Sequence, residues 1–88
     1  MDRAQTLGNF GLASAAARDW PQSISQLKEA LQVCGDCSAL PQLHKDLGLI
    51  YCRSGDLKDG LAELQQAQRL TPQDPDVVQA IRIAQERR

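Results

Sequence analysis

Between Pro41 and Ser54 the apolar residues Leu43, Leu47, Ile50 and Tyr51 fall at i, i+4, i+7 and i+8, which puts them on one stripe of an α-helix. Ser54-Gly55-Asp56 breaks the stripe. Glycine accepts the left-handed conformation that follows a helix, and aspartate caps the N-terminus of the next one. A second helix is predicted from Leu57 to Leu70, with Leu57, Leu61, Leu64 and Ala67 on one side. Thr71-Pro72-Gln73-Asp74-Pro75 stops it and starts a third, from Asp76 to about Arg87, carrying Val77, Val78, Ile81 and Ala84. The first two helices, joined by so short a turn, must be antiparallel neighbours.

The first half repeats this plan at an offset of 37 residues: Gly11 matches Gly48, Asp19 matches Asp56, Trp20 matches Leu57, Leu27 matches Leu64 and Ala30 matches Ala67. A helix from about Asp2 to Ala17 therefore pairs with one from Trp20 to Val33, turning at Arg18-Asp19. Pro21 falls in the first turn of its helix, where a missing N–H costs nothing. Two helical hairpins and one further helix follow the logic of a solenoid, in which each unit buries its apolar face on its neighbours.

Composition agrees with helix throughout. Leu and Ala dominate the apolar residues, Phe10, Trp20 and Tyr51 are the only aromatics, and β-branched residues are few. At 88 residues the chain is one domain with a thin core, burying roughly 60 to 65% of its unfolded surface. Ten basic and eleven acidic residues give a net charge of −1, with no field to capture a phosphate backbone or an anionic membrane. No apolar run approaches the ~20 residues of a membrane span, and the N-terminus lacks the pattern of a signal peptide. The expectation is a soluble protein, cytoplasmic by default, although a signal removed earlier would leave no trace.

The second hairpin carries His44-x2-Leu47-Gly48-x2-Tyr51, then Gly60-x3-Leu64, Ala67 and Pro72. This closely resembles the tetratricopeptide repeat, whose pattern runs Trp-x2-Leu-Gly-x2-Tyr, a small residue, a large apolar one and a closing Pro. The first hairpin is similar but looser, with Leu7-x2-Phe10-Gly11-x2-Ser14, Ser23-x3-Leu27 and Ala30, and no closing Pro. About three extra residues within Cys34 to Leu40 separate the copies beyond the family's spacing of about 34 residues. In this pattern Gly48 and Gly60 let paired helices approach closely, beside Leu47, Tyr51 and Leu64. The resemblance implies an all-α, right-handed helical-hairpin solenoid in a single domain, 1–88. Repeat 1 covers about 4–37, repeat 2 about 41–74, and a capping helix about 75–87, with Arg82, Gln85, Glu86, Arg87 and Arg88 as its polar surface.

In that family the first helix of each pair lines a concave, ligand-facing side. The resemblance implies a peptide-binding groove of Gln5, Asn9, Leu12, Gln42, Lys45, Leu49, Arg53 and Ile83, with Gly8, Ala15, Ala16, Asp46, Cys52, Gln79, Ala80 and Arg87 beside them. Leu12, Leu49 and Ile83 recur at one place on three successive helices, so they either form an apolar binding strip or pack between helices. Family members that bind chaperone C-termini hold a carboxylate with Lys, Asn and Arg. Gly8, Leu12, Asp46, Asp76 and Ala80 stand at those places, which favours an apolar segment or helix as ligand.

Cys34-Gly35-Asp36-Cys37 has the spacing of a zinc knuckle or a redox dithiol. His44 and Cys52, the remaining soft ligands, lie roughly 12 Å apart along one helix, too far for one ion. No strand-helix context supports a redox site. The expected state is structural or unpaired thiols in a turn, with a disulfide as the alternative in an exported protein. Cys52, an odd third thiol, leans toward a reducing compartment. His44 stands where the family has a packing aromatic, with no Ser-His-Asp spacing around it, so no enzyme activity is expected.

The reading is a noncatalytic protein-protein interaction module or scaffold, without metal or cofactor. It takes a protein or peptide partner, or a second copy as a homodimer, and binds neither nucleic acid nor membrane. Two alternatives stand beside it: a helical-repeat RNA binder resembling pentatricopeptide proteins, and a metal or redox protein centred on Cys34 and Cys37. Reading RNA needs a basic, hydrogen-bonding inner face. Here Lys45, Arg53 and Arg87 are partly balanced by Asp46 and Glu86.

Overall fold

Five amphipathic segments form five helices in the computed structural model, which describes residues 3–87. They are α1 (Arg3–Ala16), α2 (Trp20–Cys34), α3 (Leu40–Ser54), α4 (Leu57–Leu70) and α5 (Pro75–Arg87), and the described residues contain no strand. The start expected near Asp2 and the last residue of the basic tail, Arg88, lie outside the described residues. The first helix ends one residue before Ala17; the second continues one residue past Val33, and the third begins one residue before Pro41.

Local chemistry sets these limits. Asp19 Oδ1 accepts the Gln22 N–H at 3.3 Å at the start of α2, and Asp56 Oδ1 accepts the Asp59 N–H at 3.1 Å at the start of α4. Each such cap is worth about 1 kcal/mol. Asp74 does the same for α5, accepting from the Asp76 N–H at 3.0 Å. Both hairpin turns close with one bond reaching back five residues, Asp19 N–H to Ser14 C=O and Asp56 N–H to Tyr51 C=O, each 2.9 Å. The preceding residue has positive φ in each: Arg18 at 61° and Gly55 at 100°.

Each helix packs on the next in chain order. In addition α1 approaches α3 and α3 approaches α5, while α2 and α4 make no such approach among the described residues. The odd-numbered helices therefore converge on one side of the molecule. One apolar cluster joins α1, α2 and α3 through Ala4 and Ala15 of α1, Leu27 and Ala30 of α2, and Leu43, Leu47, Ile50 and Tyr51 of α3. A second joins α4 and α5 through Leu61, Leu64, Ala67, Val77, Ile81 and Ala84, with Leu49 and Cys52 of α3 against it. Leu27 and Leu64 are completely covered. Burial of each stabilises by about 1.5–3 kcal/mol.

The α3–α4 contact is set by paired glycines. A Cβ on Gly48 would stand 2.7 Å from Leu64 Cγ and 3.0 Å from the Gly60 carbonyl oxygen, so the helices meet there backbone to backbone. Leu64 fills the space beside that contact. Leu47 and Tyr51 join the cluster with α2 and also line a hollow whose other wall is Asp59, Ala62 and Glu63 of α4.

Candidate functional site

Where the odd-numbered helices converge, three hollows run into one trough. The first, about 470 Å³, lies between α1 and α3 and is walled by Gln5, Asn9, Leu12, Gln42 and Asp46, with Ser38 and Ala39 at its end. The second, about 270 Å³, has Leu12, Ala15 and Ala16 facing Asp46, Leu49 and Arg53. The third, about 140 Å³, sets Leu49, Cys52 and Arg53 of α3 against Ala80, Ile83 and Arg87 of α5. Leu12 and Asp46 belong to the first two hollows, and Leu49 and Arg53 to the last two.

Seven of the expected groove residues, Gln5, Asn9, Leu12, Gln42, Leu49, Arg53 and Ile83, thus line a single surface. Lys45 does not join them. Its Nζ lies 3.2 Å from Asp74 Oδ2 and 3.4 Å from Asp76 Oδ2, drawn sideways to the α4–α5 turn. Burial works against the Lys45 charge, but Asp74 and then Asp76 outweigh it and hold its pKa above the ordinary value. Gln79 is exposed and walls none of the three hollows.

The apolar strip divides. Leu12 is 42% exposed and Ile83 40%, whereas Leu49 is half-buried against the α4–α5 cluster. Packing between helices therefore describes Leu49, and an open apolar surface describes the other two. Ser38 and Ala39 are lining residues that sequence reasoning missed. The extra residues between the copies were their signal, read only as a spacer.

Asp46 is the acidic group of the trough. Its carboxylate accepts Gln42 Nε2–H at 2.9 Å. Burial pushes its pKa above the ordinary carboxylate value, opposed by the Gln42 bond and then by the Lys45 charge. The ion pairs among the described residues are His44–Glu63, Lys45–Asp74 and Lys45–Asp76, so Asp46, Arg53 and Arg87 take part in none.

Cys34 and Cys37 are joined in a disulfide, their Cα atoms 5.0 Å apart. This overturns the expectation of unpaired thiols. The Cys37 N–H donates to the Cys34 carbonyl at 3.0 Å, and the turn so formed brings the two side chains together. Cys52 is a free thiol, its pKa raised by burial, with Arg87 opposing and Asp56 adding to the rise. His44 Nδ1 lies 3.2 Å from Glu63 Oε1 and ties α3 to α4. Among the described residues no three His, Cys, Asp or Glu side chains gather as a metal site, and no helix is long and apolar enough to cross a membrane. No protein-family model matches the chain, and no curated protein matches it.

Proposed function

We propose that the protein is a noncatalytic interaction module of tetratricopeptide-like architecture, a short helical-hairpin solenoid that binds a peptide in the trough across α1, α3 and α5. The observation that carries this reading is the unbroken run from the α1–α3 cleft, past Leu12 and Leu49, to Ile83 in the α3–α5 hollow. Leu12 and Ile83 remain substantially exposed there, where burying them on a ligand is favourable. The helix order, the recurring turn bonds and the small-residue contact within each hairpin support the solenoid arrangement.

The test is selection of a displayed random-peptide library on the folded protein, followed by binding measurements on synthetic copies of the selected peptides. Leu12→Asp and Ile83→Asp should each weaken binding by about 2 kcal/mol or more while circular dichroism stays helical. Gln66→Asp, on the exposed side of α4, should bind as before. Peptides that bind both Leu12→Asp and Ile83→Asp normally would place the ligand elsewhere. Leu49→Asp is the poorer probe, because its half-buried side chain also supports the α4–α5 cluster.

A further inference from the structure

The trough is electrically polarised along α3. At one end the half-buried Asp46 carboxylate has a neutral amide, Gln42, as its hydrogen-bond partner. The nearest cation in sequence, Lys45, is held by Asp74 and Asp76 on another flank. At the other end Arg53 and Arg87 face each other across the α3–α5 hollow, and neither is in an ion pair among the described residues. Asp46 and Arg53 stand seven residues apart on one helix, roughly 10 Å at 1.5 Å per residue. Between these ends lie Leu12 and Leu49.

We propose that the trough selects a peptide of fixed polarity: a lysine or arginine enters the α1–α3 cleft against Asp46, and an aspartate or glutamate roughly 10 Å away meets Arg53 and Arg87. Apolar residues between them cover Leu12 and Leu49. The separation corresponds to about three residues of an extended peptide, or about seven of a helical one. A half-buried carboxylate gains most from a partner that brings its own positive charge, because the low local dielectric strengthens the pair. The burial that raises the Asp46 pKa shows that the group is already partly stripped of water. The inverse ligand, an acidic peptide end in the α1–α3 cleft, meets like charge there.

This inference rests on the groove reading, and the same peptide selection tests both separately. Selected peptides should be enriched in a basic and an acidic residue at one fixed spacing, with apolar residues between. Asp46→Asn keeps a hydrogen-bonding side chain toward Gln42 and should weaken these peptides roughly tenfold or more. Replacing the peptide's basic residue by norleucine should cost about the same on the wild-type protein and nothing further on Asp46→Asn. Asp46→Lys should reverse the preference, selecting an acidic residue in that place. Should that variant fail to fold, the Asp46→Asn and norleucine comparison decides alone. Peptides that depend on Leu12 and Ile83 but carry no basic residue, or bind Asp46→Asn undiminished, would overturn the polarity and leave the groove standing. Peptides indifferent to Leu12 and Ile83, or no enrichment at all, would overturn both.

Discussion

The two hairpins share one plan but meet it with different residues. In α3–α4 the close approach is glycine against glycine, with the Gly60 carbonyl oxygen 3.0 Å from where a Gly48 Cβ would stand. In α1–α2 the matching pair is Gly11 and Ser23, and the buried Ser23 hydroxyl donates to the Gly11 carbonyl at 2.7 Å. The outer stripes differ more. Leu43, Leu47 and Tyr51 of α3 are buried in the cluster shared with α2. At the same places α1 has Thr6, Phe10 and Ser14, and Phe10 is 55% exposed. Apart from α2 and α3, no described helix lies against α1. The contact within a hairpin is set by its own residues, while the burial of its outer stripe depends on whether another helix lies against it.

Gly48→Leu should be the most damaging test of this comparison. A Cβ alone would come within 2.7 Å of Leu64 Cγ, so the larger side chain must force α3 and α4 apart. The expected cost is ~3 kcal/mol or more, read from urea or thermal unfolding. Alanine sharpens the contrast. At Gly48 its Cβ also meets backbone oxygen at 3.0 Å, whereas at Gly11 the nearest backbone oxygen is 3.3 Å away. Gly48→Ala should therefore lose more stability than Gly11→Ala, and the reverse order would show that the first hairpin is the tighter one.

The junctions between helix pairs differ as well. The α4–α5 junction rests on Asp74 and on Thr71, whose hydroxyl donates to the Ala67 carbonyl at 3.1 Å. The α2–α3 junction has no side-chain cap on α3 and carries the Cys34–Cys37 disulfide instead. Closing so short a loop stabilises by ~2 kcal/mol in the chain-entropy account. Reductant should lower the melting temperature of the wild-type protein to that of Cys34→Ser/Cys37→Ser and leave the double variant unmoved. A wild-type melting curve indifferent to reductant would show that the bond does not constrain the junction.

Much of this organisation was legible in the chain. The α4 limits follow from Asp56 and Thr71, both short-range signals, and the offset matching Gly11 with Gly48 located both hairpin contacts. Legibility failed where a side chain's fate depends on another helix. Lys45 is one residue from Asp46, yet it turns to Asp74 and Asp76 because α5 begins beside it. Leu49 shares a stripe position with Leu12 and Ile83, but the central helix has a neighbour on each side, so it alone is half-covered. The disulfide stood only as the alternative because thiol spacing is compatible with several chemistries, and the turn conformation that chooses among them is not written in the spacing.

Ser23→Ala measures what the first hairpin gains from its hydroxyl. The side chain is fully covered, and its loss removes one hydrogen bond to a carbonyl inside the α1–α2 contact. About 1 kcal/mol of destabilisation is expected. Ser23→Gly, which copies the second hairpin, should cost more, since glycine in a helix interior is worse than alanine by ~1 kcal/mol. Equal stability of wild type and Ser23→Ala would mean that close packing alone holds both hairpins.

The smallest effect should be a gain. Arg18 holds φ at 61° at the first hairpin turn, where the second hairpin has Gly55. In that region a side chain's Cβ crowds the backbone and costs ~1 kcal/mol, a penalty glycine escapes. Arg18 is exposed, so its removal uncovers no core. Glycine also leaves the unfolded chain freer, which returns part of the benefit, typically ~0.5 kcal/mol. Arg18→Gly should therefore stabilise by a few tenths to ~1 kcal/mol, raising the melting temperature by about 2–5 °C for a domain of this size. The mirror change Gly55→Arg should lower it by more, because φ at 100° lies farther from the left-handed well near 57° that side chains tolerate. If Arg18→Gly melts lower than the wild type, the arginine side chain contributes more through its surface contacts than its backbone conformation costs, and the two turns are equivalent in shape but not in what holds them.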